Sequence, residues 1–303
     1  MNKYQKQIFK GTLYALLSGI VWGICGILGE YFFAHYSVTS GWITSMRLVI
    51  AGLVVLVIAT IQDSKKIWGI WKKKKNIFPF VTYAILGVFS VQFFFYLCIQ
   101  YSNAVTATIL QYISPVFMLV YDFFIAKKRI SNTALIYVVL AMAGVFLMTT
   151  KGDLSNLSIT PLALLFGLLS ALAVVFNVVL PQRFARRYGL LNTVGWGMLT
   201  AGLLSNFLYP IYHVPFKLDG LSIAISIIIA LFGTAFSFLI SMKAASLVSP
   251  LIVAVVGASE PLSSAVLSVL FLGMVLDMPL VIAMLLIIVP MALLSIEEST
   301  LKK

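Results

Sequence analysis

Four charged side chains, Glu30, Arg47, Asp122 and Glu260, fall inside long apolar runs. On insertion scales a charge at the centre of a membrane helix costs about 2.5–3.5 kcal/mol, so such a residue normally faces protein or a water-filled cavity. Glu260 stands immediately before Pro261, and a proline, having no N–H, frees the carbonyl four residues back, at Gly257. A carboxylate, a kink and a free carbonyl are thereby expected together near the middle of one helix. That carboxylate can bind a substrate cation or carry a proton; it can equally cap nearby backbone or pair with another helix. Arg47 should lie about 12 Å into its helix at 1.5 Å per residue. It can attract a carboxylate or phosphate, but a structural role is favoured: a pair with Glu30, a helix end, or a side chain snorkelling outward. Asp122 is one turn from Lys127, Lys128 and Arg129, where a local ion pair is expected.

Uncharged polar residues extend the candidate site. Gln92 and Tyr96 are four apart and share a helix face. Gln111 precedes Pro115 by four residues, so its carbonyl is the one that proline frees, and Tyr112 is adjacent. Asn177 and Ser237 lie deep in apolar runs, and Trp22 can stack on a ring or a cation. Any one of these can instead be a helix–helix hydrogen bond, worth about 0.6 kcal/mol. As a set they fit a polar pocket better than a lipid-facing surface. No catalytic constellation accompanies them. His35 and His213 are isolated, Cys25 and Cys98 read as buried hydrophobes, and no metal spacing occurs, so neither metal nor cofactor is expected.

These residues must be positioned by membrane helices. Of the 303 residues, 61% are hydrophobic and 10% charged, against about 45–50% and 25% in soluble domains. Ten runs are long enough to span about 30 Å of hydrocarbon: 11–33, 40–61, 78–99, 104–126, 132–149, 161–179, 190–212, 221–241, 248–271 and 278–295. With ten spans both termini share one side. Eighteen of the 21 cations then fall on that side, leaving Arg47, Lys151 and Lys217. The asymmetry places both termini in the cytoplasm and explains the net charge of +12 without nucleic acid.

The fourth and ninth spans resemble each other: Tyr112-Ile113-Ser114-Pro115 aligns with Ala258-Ser259-Glu260-Pro261. The first and sixth match through Leu16-Leu17-Ser18-Gly19 and Leu168-Leu169-Ser170-Ala171. Two five-helix units follow, and because five is odd the second enters the membrane from the opposite face. The expected fold is therefore an all-α integral membrane protein with ten transmembrane helices in two inverted five-helix repeats, residues 11–150 and 160–297. Inverted repeats are the signature of many secondary transporters.

Ser18 with Trp22-Gly23, Arg47, Ser102-Asn103-Ala104, Thr106-Ala107-Thr108, Ser114-Pro115 and Glu260-Pro261-Leu262, taken with the repeat spacing, resemble the EamA family of the drug/metabolite transporter superfamily. The resemblance covers about residues 11–297. It implies ten helices in two repeats, a central cavity lined largely by helices 1, 3, 4, 6, 8 and 9, and movement of small metabolites, without naming the substrate. Family repeats often end helices 4 and 9 with Gly-Glu; Lys127-Lys128 and Gly273-Met274 stand there instead.

The expected function is a secondary transporter moving a small, amino-acid-like or other organic solute across the cytoplasmic membrane by alternating access, with export as the expected direction. No G-x-x-x-x-G-K-[ST] loop for nucleotide occurs. The alternatives are a membrane sensor or assembly protein and, less favoured, a lipid-modifying enzyme, for which the acids are too scattered. Among the six lysines of residues 64–76, Ile67, Trp68, Ile70 and Trp71 predict a short interfacial helix, with anionic lipid expected at Lys65–Lys75. The small residues Ala15, Gly19, Gly23 and Gly26 predict close helix packing, within a monomer or a homodimer.

Overall fold

The computed structural model describes residues 3–63, 67–125, 127, 132–150, 159–248, 256–257 and 259–301. Lys65, Lys66, Lys128, Arg129, Lys151, Pro250, Ala258, Lys302 and Lys303 lie outside them, as does most of the first half of the ninth expected span. The described residues are helical, without strands. The main helices are α1 (Lys3–His35), α2 (Ser40–Asp63), α3 (Lys74–Tyr101), α4 (Ala104–Phe124), α5 (Asn132–Thr150), α6 (Pro161–Val179), α7 (Leu190–Ser205), α8 (Gly220–Ala245), α9 (Ser259–Leu272) and α10 (Met278–Leu301). Six helical stretches are long and apolar enough to cross a membrane, those carrying α1, α2, α3, α4, α6 and α8. Shorter apolar stretches lie in α5, α9 and α10.

Polar residues in the short connections start the helices. Asn103 accepts the Thr106 amide at 2.8 Å and caps α4. Thr160 accepts the Ala163 amide at 3.2 Å and caps α6. Asp219 and Ser222 form a reciprocal capping box on α8. Each satisfies amides that a helix start leaves without partners. At Asp219 these donors hold the carboxyl below the usual aspartate range, the Ser222 amide first among them, with the Tyr36 hydroxyl also donating at 3.0 Å.

The packing follows small residues. α7 lies along α2, where a Cβ on Gly52 would stand 2.5 Å from the Leu199 nitrogen and one on Gly202 2.6 Å from the Val49 nitrogen. Only glycine admits backbones this close. α10 lies along α5, α6 along α3, α8 and α9 along α1, and α4 against α9. Advancing every helix by five leaves the pairs α2–α7, α5–α10 and α4–α9 in place and exchanges α3–α6 with α8–α1. The small stripe of α1 is used inside the molecule: Gly19 abuts Ser259 and Glu260, Gly23 abuts Ser263 and Ser264, and Gly26 faces Ala104.

Three expectations change. The seventh helix stops at Ser205 rather than Tyr212; turns follow through residues that include Pro210, and Asn206 Oδ1 takes the Ile211 amide. Residues 67–72 form turns, not an interfacial helix. Ile70 is fully buried, Trp71 packs edge-on against Phe80 and Trp196, and Trp196 Nε1 donates to the Ile67 carbonyl at 2.7 Å. Inward aromatic packing thus takes the place of a face laid on lipid. The fourth helix is interrupted, Ala104–Gln111 being followed by a turn and by Ser114–Phe124, with Pro115 in the first turn of the second piece. A proline there gives up no helical hydrogen bond, so Pro115 starts a helix instead of kinking one. Pro261 lies in the described stretch Ser259–Leu272; residues 256 and 257 before it are helical as well, and Ala258 between them lies outside the described residues.

Two helices contain a π-helical stretch, Tyr83–Phe89 in α3 and Leu231–Phe236 in α8. These helices are five apart in the order. In α8 the wide turn is pinned by Thr234 and Ser237, whose hydroxyls donate to the carbonyls five residues back, Ile229 and Phe232.

Candidate functional site

The π-helical turn of α8 positions the innermost cation. Arg47, on α2 and only 4% exposed, donates from Nε to Thr234 Oγ1 at 2.7 Å and from Nη2 to the Gly233 carbonyl at 3.1 Å. Its guanidinium lies 5.0 Å from the centre of the Tyr96 ring, within cation–π range. Arg47 and Glu30 do not pair. Glu30 Oε2 instead accepts the Ala104 amide at 2.7 Å, joining α1 to the start of α4.

Arg47 opens onto a cavity of about 160 Å³. Glu260 faces the same space from α9, where its backbone is held close to α1 by Gly19 and Gly23. Arg47 and Glu260 are near enough to interact through their charges. The amides of Gln92, Gln111 and Asn177 line other walls, from α3, α4 and α6. Trp22 and Tyr96 supply aromatic surface. Gln111 Nε2 donates to Ser170 Oγ at 2.7 Å, and that hydroxyl donates to the Val91 carbonyl at 3.0 Å, so one short chain ties α4, α6 and α3 together beside the cavity.

The structure therefore gathers Trp22, Arg47, Gln92, Tyr96, Gln111, Asn177 and Glu260, residues separated by more than 230 positions, around one space. It leaves out two expected members. Ser237 is fully buried and donates to the Phe232 carbonyl at 2.6 Å. Tyr112 is close enough to Glu260 to feel its charge, but it does not line the cavity. Asp122 lies near the end of α4, and of its expected partners Lys127, Lys128 and Arg129 the last two are outside the described residues.

Cys25, Val91, Phe95, Gly233, Thr234 and Phe238 also line the cavity and were missed. Gly233 is a contact point, since a Cβ there would run into the Cys25 side chain. A Gly-Thr pair inside an apolar run was the available signal for the Arg47 seat. Without knowledge of the π-helical turn it carries no direction.

Near the His35 end of α1, Phe216 packs edge-on 5.0 Å from both Phe32 and Trp42. Trp42 Nε1 donates to the Ile211 carbonyl at 3.3 Å. The 206–219 connection is thereby fastened to α1 and α2.

A bundle of apolar helices around a partly open cavity lined by the buried Arg47 and by Glu260 defines a polytopic membrane protein. The chain belongs to the EamA-like transporter family, whose model matches it twice, over residues 9–150 and 161–296. A similar protein is an uncharacterized inner membrane transporter, YicL, of Salmonella typhimurium. It is 32% identical over 289 residues, covering 95% of this chain and 96% of its own. A solved crystal structure described only as a protein matches 97% of this chain and 98% of its own, with a TM-score of 0.65 at 17% identity, and shows the same fold.

Proposed function

We propose that the chain is a secondary transporter that carries a small zwitterionic, amino-acid-like metabolite across the cytoplasmic membrane by alternating access, in the direction of export. The observation that carries this reading is that Arg47 and Glu260 face one cavity. Arg47 is suited to a substrate carboxylate and Glu260 to an ammonium or a coupling proton. Gln92, Gln111, Asn177 and Trp22 form the rest of the binding surface. At about 160 Å³ the space is smaller than a drug-sized site of roughly 300–1,000 Å³, which favours a compact solute.

Ten membrane passages in two inverted repeats, with both termini cytoplasmic, complete the reading. The exchange of helix pairs under a five-helix shift supports the repeat, as do the π-helical stretches in α3 and α8. Swapping the conformations of two such halves opens a central site to alternate sides. The fastening of Phe216 to α1 and α2 suits a closed outer gate. Anionic lipid is proposed where exposed Lys72–Lys75 adjoin a groove of about 310 Å³ lined by Pro79, Val179, Leu180, Arg183 and Arg186. The α1 stripe being occupied by α9 and α4 favours a monomer.

Comparing metabolites inside and outside cells that overproduce the protein with those of a deletion strain tests the function. A zwitterionic metabolite should leave the overproducing cells, and Arg47→Ala should abolish the difference. Identical extracellular pools in the two strains across such metabolites overturn the reading.

A further inference from the structure

Two buried hydroxyls, Ser264 Oγ and Ser268 Oγ on α9, have no hydrogen-bond partner among the described residues. Both residues are essentially unexposed. A serine in a helix commonly bonds to a carbonyl one turn back, as Ser263 does, donating to the Glu260 carbonyl at 2.9 Å. Ser264 and Ser268 do not. A buried polar atom without a partner costs about 1–3 kcal/mol, and bridging water is the usual remedy where several polar groups converge.

The register of α1 against α9 says what converges here. Gly19 faces Ser259 and the Glu260 nitrogen. A Cβ on Gly23 would stand 2.9 Å from the Glu260 carbonyl and 3.1 Å from the Ser264 nitrogen. One on Gly26 would stand 3.9 Å from Ser264 Oγ and 3.4 Å from Ala104 Cβ. The two helices thus run in the same direction, and one more turn brings Ser268 to the level of Glu30. Glu30 closes the row by accepting the Ala104 amide at 2.7 Å, beside Gly26 and Ser264. At Gly23 the two backbones are in contact, whereas Gly26, which also lines the cavity, leaves room for a methyl group beside Ser264.

We propose that Ser264 and Ser268 hold a chain of water molecules between α1, α4 and α9, a proton path joining Glu260 in the cavity to Glu30 near the His35 end of the bundle. The proposal rests on the reading of Glu260 as the coupling carboxyl. In the outward step protonated Glu260 gives its proton to the first water, each water and hydroxyl passes its own proton onward, and the Glu30 carboxylate receives the last; the return step runs in reverse, with no change of oxidation state. The ionisable groups facing Glu260 are Cys25 of α1, Arg47 of α2, Tyr96 of α3 and Tyr112 of α4. Among the described residues no charged side chain forms an ion pair with Glu30, and its partner is the Ala104 amide. Glu30 can therefore release its proton toward the His35 end without breaking an ion pair.

Infrared difference spectra after an acid jump, on the full chain in proteoliposomes, test this without a known substrate. A protonated-carboxyl band absent from Glu260→Gln identifies Glu260. With the path in place, the Ser264→Ala/Ser268→Ala double variant and Glu30→Gln should each slow the appearance of that band about tenfold or more, in keeping with the effect of removing a proton-transfer group. Glu30→Gln keeps an acceptor for the Ala104 amide, and truncating an unpaired buried hydroxyl removes no protein hydrogen bond, so melting temperatures should hold. Protonation of Glu260 at the wild-type rate in both variants overturns the path while leaving Glu260 as the coupling group. Spectra of wild type and Glu260→Gln that do not differ overturn the coupling reading and the path with it.

Discussion

Arg47 is a buried cation whose hydrogen bonds are supplied by a neighbouring helix. Hydrogen bonds to charged groups contribute about 1.5–3 kcal/mol, so Thr234→Val, which keeps the shape and removes the acceptor of the Nε bond, should lower the melting temperature in detergent by a corresponding amount. An unchanged melting temperature would mean that Arg47 finds another acceptor at no cost. Asp219 makes a pH prediction. Its carboxyl is held below the usual aspartate range by the Ser222 amide and its other donors, so the capping box contributes fully above the ordinary aspartate range and is lost only as pH falls through the lowered value. Hydrogen exchange at the Ser222 amide should stay slow through mild acid and accelerate only below it, whereas in Asp219→Asn the protection should show no such step. The charges of the site were legible because the bilayer makes each one expensive: Glu260 and Arg47 stand out in any reading of the chain. Their partners were not. Thr234 and Gly233 are ordinary residues in an apolar run, brought to Arg47 by a π-helical turn that leaves no periodic mark.

The helices themselves follow from apolar length, capping residues and glycine. Where α2 and α7 touch, an added methyl group meets backbone rather than a movable side chain. Gly52→Ala and Gly202→Ala should each cost about 1–3 kcal/mol, the usual cost of overpacking, read as earlier thermal unfolding; stability equal to wild type would contradict the close approach. At this scale the sequence was clear about where most helices run and wrong about how some end. Hydropathy read through Pro210 because Phe207, Leu208, Ile211 and Tyr212 are apolar, although the helix stops at Ser205. It made a lipid-facing helix of Trp68 and Trp71, whose rings pack tilted and edge-on against Trp196. Sequence periodicity cannot tell a tryptophan that faces lipid from one that faces a neighbouring helix. Pro115 was read as a kink in the middle of a helix, but the chain makes a full break with a turn at Tyr112-Ile113.

Across the molecule, helix pairs exchange under a five-helix shift, and a cavity lies where α1, α2, α3, α4, α6, α8 and α9 meet. Inverted repeats require an arrangement of ends that labelling can read. Lys10→Cys and Lys243→Cys should react with an impermeant thiol reagent from the cytoplasmic face alone, and Lys217→Cys from the opposite face alone; labelling of all three from one face would contradict the inversion. The central claim, a proton-coupled carrier whose site joins Arg47 and Glu260, is tested most directly by uptake of a panel of ¹⁴C-labelled neutral amino acids into proteoliposomes with and without an imposed pH gradient. The account predicts accumulation driven by the gradient in wild type and uptake indifferent to it in Glu260→Gln. Gradient-driven accumulation of equal size in the two proteins would contradict it.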